Sequence, residues 1–414
     1  MNRRQIDRLD RELREYVESL TEGMGRKERV RAMGWYVTGL LLDGERKSIE
    51  PIAARLVDDA GEIQAMRQRL QECVTVSTWK DEELYKRLAL KIAGELPGIE
   101  AFVLDDTGYP KKGQHSVGVA RQYSGTLGRV DNCQVAVSLH LAGEDGSACI
   151  GLRLYLPEEW ANDSARRKKA GIPSDIQFEQ KWKLALEQLD CALDWGLARH
   201  VVLADAGYGD STEFRQGLRE RQLNYVVGVQ SSLVVWAPGT GPIPPRPWTD
   251  GRNRIGTRYS TGDQKPVSLR ELAKSFGKSA CRRLTWREGS KGKQRSRFNA
   301  IRIRTAHRHT VGRAPGSEEW LLYEWPEDEQ EPTKYWLATL SPETSMKRLV
   351  YVAKLRWRIE RDYQDLKEEI GLDHFEGRSW RGFHHHATLC AVAHGFLAIR
   401  RALFPPEQNA LDAA

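Results

Sequence analysis

Leu349-Val-Tyr-Val-Ala-Lys-Leu-Arg-Trp-Arg-Ile-Glu-Arg-Asp-Tyr-Gln-Asp-Leu-Lys-Glu-Glu-Ile-Gly371 contains no proline and stops at a glycine, the residue favoured just past a helix end. Val352, Leu355, Ile359, Leu366 and Ile370 recur at helical spacing and make one apolar face. Arg356, Glu360, Tyr363 and Lys367 stand at i, i+4, i+7 and i+11, a second stripe about 100° round the barrel. Two readings are open. The stripe is either a solvated row of i,i+4 salt bridges or a carboxylate held at the rim of whatever the helix packs on. The rest of the chain decides between them.

The bulk properties narrow the field. The 414 residues are enough for two or three domains with a substantial core. With 29% charged and 40% hydrophobic residues, the composition is that of a soluble globular protein. No run approaches the roughly 18–20 apolar residues of a membrane span. The first ten residues lack the apolar core of a signal peptide. Cys73, Cys133, Cys149, Cys191, Cys281 and Cys390 are scattered singly, which argues for reduced thiols in cytoplasm and against a zinc ribbon. A formal charge of +7 suits a polyanionic partner without demanding one.

Residues 1–96 read as helices with little strand signal, over Arg4–Glu22, Arg26–Leu42, Ile49–Ala60, Gly61–Cys73 and Asp81–Leu96, with Ser48 as a candidate N-cap. Such helices suit either a helix-turn-helix-like DNA contact or a packed bundle. Near residue 97 the character changes. A buried strand ends in Asp105-Asp106-Thr-Gly108. A second, Asn132–Ala142, alternates, with Cys133, Val135, Val137, Leu139 and Leu141 on one face. A hairpin turn, Gly143-Glu-Asp-Gly-Ser147, leads to a third over Cys149–Pro157. A helix over Phe178–Leu197 precedes His200-Val-Val-Leu-Ala-Asp205, whose lack of alternation predicts a central strand, followed by the turn Ala206-Gly-Tyr-Gly209. Asp210 reads as the N-cap of a helix over Ser211–Arg221, and a fifth strand follows at Asn224–Val229.

The expectation is therefore an α/β fold, a mixed sheet flanked by helices. Its parts are a helical domain at 1–96 and a core at 97–232. A basic, mainly β insertion occupies 233–332, rich in proline at Pro238, Pro242, Pro244, Pro245 and Pro247. The core resumes at 333–403, and a tail covers 404–414. Open α/β sheets place ligands at strand ends. Asp105 or Asp106, Asp205 and Glu360 are thus candidates to converge. Carboxylates on separate elements are how proteins hold Mg²⁺ or Mn²⁺, and two such ions about 3.5–4 Å apart support phosphodiester chemistry.

The ordered motifs resemble those of DDE transposases, within the IS4-like group and closest to the IS701 family. They are Leu104-Asp-Asp-Thr-Gly108, Lys111-Lys-Gly-Gln-His-Ser-Val-Gly-Val-Ala-Arg-Gln-Tyr-Ser-Gly125, Leu154-Tyr-Leu-Pro-Glu-Glu-Trp160, Leu203-Ala-Asp-Ala-Gly-Tyr-Gly209 and Trp357-Arg-Ile-Glu-Arg-Asp-Tyr-Gln-Asp-Leu-Lys367. The resemblance implies an RNase H-like core, with Asp106, Asp205 and Glu360 as catalytic acids and metal ligands for two Mg²⁺ ions, which Mn²⁺ could replace. It implies double-stranded DNA as partner, a homodimer on DNA, and cutting followed by strand transfer. Arg356 and Lys367 fit the Arg-x3-Glu-x6-Lys part of the family's signature and would hold DNA phosphates. The signature's tyrosine position is Ala353 here, with Tyr351 and Tyr363 as candidate substitutes. Lys111, Lys112, His115, Arg121 and Gln122 lie in a polar, glycine-rich loop suited to phosphate contact, and Arg166-Arg-Lys-Lys169 is a further basic run. Trp236 and Trp286 are candidates to stack an unpaired base. His384-His-His386 cannot converge on one ion from a helix and reads as structural.

Overall fold

The computed structural model describes residues 3–125, 128–245, 258–289, 292–306 and 312–404. Residues 405–414 of the expected tail, Pro247, and the first part of the basic stretch, 252–257, lie outside the described residues. The chain forms two compact units, Met1–Ala198 with Trp357–Ala414, and Arg199–Arg356.

The first unit opens with α1 (Arg3–Thr21), α2 (Lys27–Leu41), α3 (Ile49–Leu56), α4 (Ile63–Gln71), which runs into a π-helical turn at Glu72–Val76, and α5 (Asp81–Glu95). Then come β1 (Ile99–Pro110), β2 (Ala120–Ser124), β3 (Arg129–Gly143) and β4 (Ser147–Leu154). Strand β3 pairs antiparallel with β1, β2 and β4. After α6 (Glu158–Ala161) and α7 (Ser164–Ala170), α8 (Lys181–Asp194) lies on β3, where Gln188 donates to the Val137 carbonyl at 3.2 Å.

In the second unit, β5 (Val201–Ala204) leads through α9 (Ala206–Gly209) and α10 (Thr212–Glu220) to β6 (Tyr225–Val229), its parallel neighbour. Next are β7 (Val234–Trp236), β8 (Val267–Ser268), α11 (Leu269–Phe276), β9 (Arg282–Gly289), β10 (Gly292–Thr305), β11 (Glu319–Glu324), β12 (Lys334–Ala338) and α12 (Met346–Leu355). The insertion is β-rich as its composition suggests. Its strands extend the sheet, since β12 pairs with both β6 and β11, β11 with β10, and β10 with β9 and β7. Helix α11 is held by a reciprocal capping box between Ser268 and Glu271.

The chain returns to the first unit through α13 (Trp357–Gln364), a π-helical turn at Asp365–Glu369, and α14 (Trp380–Leu403). Helix α14 is the spine of this unit, buried almost continuously from Gly382 to Phe396. Tyr16 of α1 donates its hydroxyl to the Val392 carbonyl at 3.0 Å, and Tyr36 of α2 bonds His386 Nδ1 at 2.9 Å. His385 stacks on Trp79 with 3.7 Å between ring centroids and lies 2.9 Å from the carbonyls of Val74 and Trp79. Burial pushes the imidazoles of His385 and His386 down to about 4, against the pull of the backbone carbonyls they face.

Three expectations change. Strand β1 does not end at its carboxylates. The ladder to β3 runs on to Pro110, and Gly108 is needed because a Cβ there would stand 2.1 Å from Ser124 Oγ, not because the chain turns. Strand β3 is buried on both faces, with Gln134, Ala136, Ser138, His140 and Ala142 as enclosed as the apolar set. The long C-terminal helix is broken. Helix α12 ends at Leu355, Arg356 is its C-cap, and α13 resumes at Trp357 before tightening into the π turn, while Gly371 adopts the expected left-handed conformation at φ 80°.

Candidate active site

Strand β1 and helix α13 bring one set of candidate residues together in the first unit. Successive strand residues face opposite sides. Asp105 stands opposite Ser138 and Asp106 opposite Val137. Ser138 Oγ meets the Tyr363 hydroxyl at 2.6 Å, which puts Asp105 on the face covered by α13. Asp106 points to the α8 side, where its Oδ2 accepts from Lys181 Nζ at 2.6 Å. Asp105 Oδ1 accepts the Asp106 amide at 2.8 Å, a local bond within the strand.

Glu360 lies in the first turn of α13 and is exposed. The residues around it tie the helix down. Tyr363 is half-buried, its hydroxyl on Ser138, and burial followed by the Asp105 charge holds that hydroxyl well above the usual range. Lys367 donates to the Gly108 carbonyl at 3.0 Å, and burial lowers its ammonium, with Asp373 partly offsetting. On the inner side, Asp362 accepts from Ser147 Oγ and from His140 Nδ1, both at 2.6 Å, with His394 Nε2 at 3.7 Å. Burial alone would push the His140 imidazole down. The Cys149 thiol and the Asp362 carboxylate outweigh it and hold His140 at about 10. Burial would likewise raise Asp362, but its bond to His140 and the neighbouring imidazoles keep it below the ordinary carboxylate value. Buried charges survive when paired and hydrogen-bonded, and this pair meets both conditions. Glu360 is thus the outward member of a helix anchored by its neighbours.

Asp205 belongs to the second unit. It follows β5 and caps α9, its Oδ1 accepting from the Gly207 amide at 2.9 Å. The turn rests directly on β6: a Cβ on Gly209 would stand 1.9 Å from the Gly228 carbonyl oxygen, and one on Gly228 would meet the Ala206 nitrogen at 3.1 Å. The buried Arg215 guanidinium donates to the Gly209 carbonyl. Asp210 is not the N-cap of α10. It accepts the Gln230 amide at 2.9 Å, and Ser211 caps the helix by accepting from Phe214 N at 3.1 Å. Arg356 closes α12.

The remaining basic candidates divide. Lys111 donates to the Phe375 carbonyl at 2.9 Å, and burial lowers its ammonium against the opposing pull of Asp373 and Glu376. Lys112 and Arg121 are exposed, Arg121 on β2 two residues before Tyr123, whose ring is 61% exposed. Arg166 packs 3.8 Å over the Trp160 ring, and Arg167 donates to the carbonyls of Pro173 and Ile176, so half of that basic run serves the local fold. The stacking candidates are both occupied. Trp236 is buried, and Trp286 carries the Lys354 ammonium 4.4 Å over its ring while Lys354 pairs with Glu324 at 2.6 Å. At the signature's tyrosine position Ala353 is buried, Arg348 covers the Tyr351 ring at 5.3 Å, and Tyr363 is the tyrosine that touches β3. The sequence reading missed Lys181, His140 and Asp362. A lysine opening the helix that follows the hairpin, and an acid two residues past Glu360 on the apolar side, were the available signals.

Among the described residues, no group of three or more His, Cys, Asp or Glu side chains is gathered to hold a metal ion. No helix among them is long and apolar enough to cross a membrane. A model of the DDE superfamily endonuclease family matches residues 19–293, about two thirds of the chain, including Asp106 and Asp205. The chain belongs to the DDE superfamily of endonucleases. It is also 30% identical over 201 residues to a probable transposase for insertion sequence element IS701 from Microchaete diplosiphon, a match covering 48% of each protein. Among solved structures it is similar to the piggyBac transposase in a synaptic complex with hairpin DNA, at 9% identity and a TM-score of 0.39, over 93% of this chain and 74% of that one.

Proposed function

We propose that this DDE-superfamily protein is an insertion-sequence transposase of the IS701 kind that cuts DNA at its element's ends and joins the resulting 3′-hydroxyls to target DNA. The observation that carries the reading is the anchored α13, which turns Glu360 outward while Tyr363, Asp362 and Lys367 fix the helix on β1 and β3. Asp106, Asp205 and Glu360 are an all-oxygen donor set, which fits Mg²⁺ or Mn²⁺. Asp106 already binds a positive charge, the Lys181 ammonium, where a metal would take its place. Bound metal ions would supply activation of a water or 3′-hydroxyl and charge stabilisation at the leaving oxygen.

The protein's own part in this chemistry is orientation. The Gly209–Gly228 contact and the Arg215 guanidinium on the Gly209 carbonyl set the turn of Asp205, and the α13 anchors set Glu360. Lys112, Arg121 and Arg356 are proposed to hold DNA phosphates. Lys111 and Lys367 act from half-buried positions against Phe375 and Gly108, keeping the loop and helix in place beside them. A homodimer, with one element end per copy, is proposed because two ends must be handled together.

Asp105 is the second reading for the first acid, since it shares the face of α13. Supplying pre-cut ends, target duplex and Mg²⁺ tests the whole proposal by its strand-transfer product. Asp106→Asn, Asp205→Asn and Glu360→Gln each lower that product at least about 100-fold, the scale of a lost electrostatic stabiliser. Wild-type protein that only nicks makes the protein an endonuclease without transfer. A fully active Asp106→Asn beside an inactive Asp105→Asn moves the assignment to Asp105.

A further inference from the structure

The first unit contains a cavity of about 350 Å³ away from Glu360. The turn before α3, the loop after β1 and the segment before α14 enclose it, and Arg46, Lys111, His115, His374 and Arg378 line it. The Lys111 ammonium is fixed in its wall on the Phe375 carbonyl. Asp373 and Glu376 also line the cavity, and their charges act on Lys111. The side chains of Arg46, His115 and Arg378 make no hydrogen bond or ion pair among the described residues. Two guanidiniums are therefore left with their fork of donors open, and guanidinium forks match phosphate. Ser48, which begins α3 at the cavity wall, makes no side-chain cap bond, so the first turn's amides add to the positive side. Lys111 stands one residue past the end of β1, the strand that carries Asp106.

We propose that this cavity seats a backbone phosphate of the bound DNA, with Arg46 and Arg378 as its ligands. The proposal rests on the DNA-cutting reading above and adds the N-terminal helices to the DNA surface. Neutralising one phosphate contact changes the slope of log Kobs against log salt by about 0.9. The test is binding of the full chain to labelled duplex DNA across a salt series, for wild type, the double variant Arg46→Gln/Arg378→Gln and Arg378→Gln alone, with thermal unfolding checked for each. The expected result is a slope shallower by about 1 in the double variant, with the affinity loss largest at low salt. If the double variant does not fold, the single variant carries the same comparison. Unchanged slope and affinity in a folded variant, beside a wild type that binds and cuts, overturns the cavity assignment alone. A wild type that binds no duplex at any salt overturns the DNA reading as well.

Discussion

Replacing Asp362 with alanine removes the carboxylate that joins three elements beneath Glu360: His140 on β3, Ser147 on β4 and, at longer range, His394 on α14. Asp362 is 3% exposed, so the imidazolium and hydroxyl it leaves behind cannot be rescued by solvent. Breaking a buried pair by deleting one partner costs about 3–5 kcal/mol. At roughly 2–4 °C per kcal/mol for a unit of this size, the melting temperature should fall by about 10 °C. The pair also gives stability a pH signature. His140 holds its proton to about 10 in the folded protein against an ordinary 6.5, so its contribution is complete below about pH 6.5 and disappears as pH rises towards 10. Asp362 is held below its ordinary value of 3.8, so its contribution is present above that pH and is lost as acid protonates it in the folded state. Urea unfolding of the wild type should therefore lose stability between about pH 6.5 and 10, and Asp362→Asn, which removes part of what raises His140 beside Cys149, should end that limb at lower pH. Strand transfer should fall with it, because Glu360 rides on the same turn. A loss under about 1 kcal/mol in Asp362→Ala, or the same pH dependence in both proteins, would refute the argument that this pair anchors the helix.

Gly209→Ala forces a methyl to within 1.9 Å of the Gly228 carbonyl oxygen, so it should lower the stability of the second unit by about 3 kcal/mol, the upper end of the usual overpacking scale; a thermal melt within about 2 °C of wild type would contradict the close seating of the turn. Lys354→Ala leaves Glu324 buried without its cation and uncovers Trp286, and should cost about 3 kcal/mol in urea unfolding, whereas the apolar Lys354→Met/Glu324→Leu pair should recover most of it. Lys181→Met removes the ammonium from Asp106, and should raise the apparent affinity for Mn²⁺, read by titrating the metal against DNA cutting; weaker metal dependence would show that the lysine supports the acid rather than competing for it.

How far the sequence could be read depended on whether the deciding contact was local. Asp205 was legible because an apolar strand ran into an acid and then into glycines, and all the partners that fix it lie within about 25 residues. The helix bearing Glu360 was legible from its spacing, yet its break at Arg356 was not, since no proline or glycine marks it. Gly108 looked like a turn and is instead a place where β2 crowds β1. Strand β2 itself, Ala120-Arg-Gln-Tyr-Ser124, was hidden in polar loop text because an exposed strand beside β3 needs no apolar alternation. The division of faces between Asp105 and Asp106 depends on register with β3, and the His140–Asp362 pair joins positions 222 residues apart, so neither has a local signal. The three consecutive histidines could be assigned to the interior by geometry alone, but Tyr36 against His386, and Trp79 and the Val74 carbonyl against His385, lie more than 300 residues back in the chain.

The contact of Gly209 with Gly228 has a consequence for how this protein can change over time. A residue positioned by side-chain packing drifts whenever a neighbour is exchanged, and compensating exchanges then accumulate around it. The turn carrying Asp205 meets β6 where two backbones touch, with no side chain between them to vary. The apolar residues Val202, Leu203 and Val226 are therefore free to be repacked in size and shape without moving the acid, while Gly209 admits no substitute and Gly228 leaves little room for one. Variation should be broad at Val202, Leu203 and Val226 and closed at Gly209 and at Tyr225, whose hydroxyl is buried on Glu319, a pattern that random mutagenesis with selection for activity would expose directly.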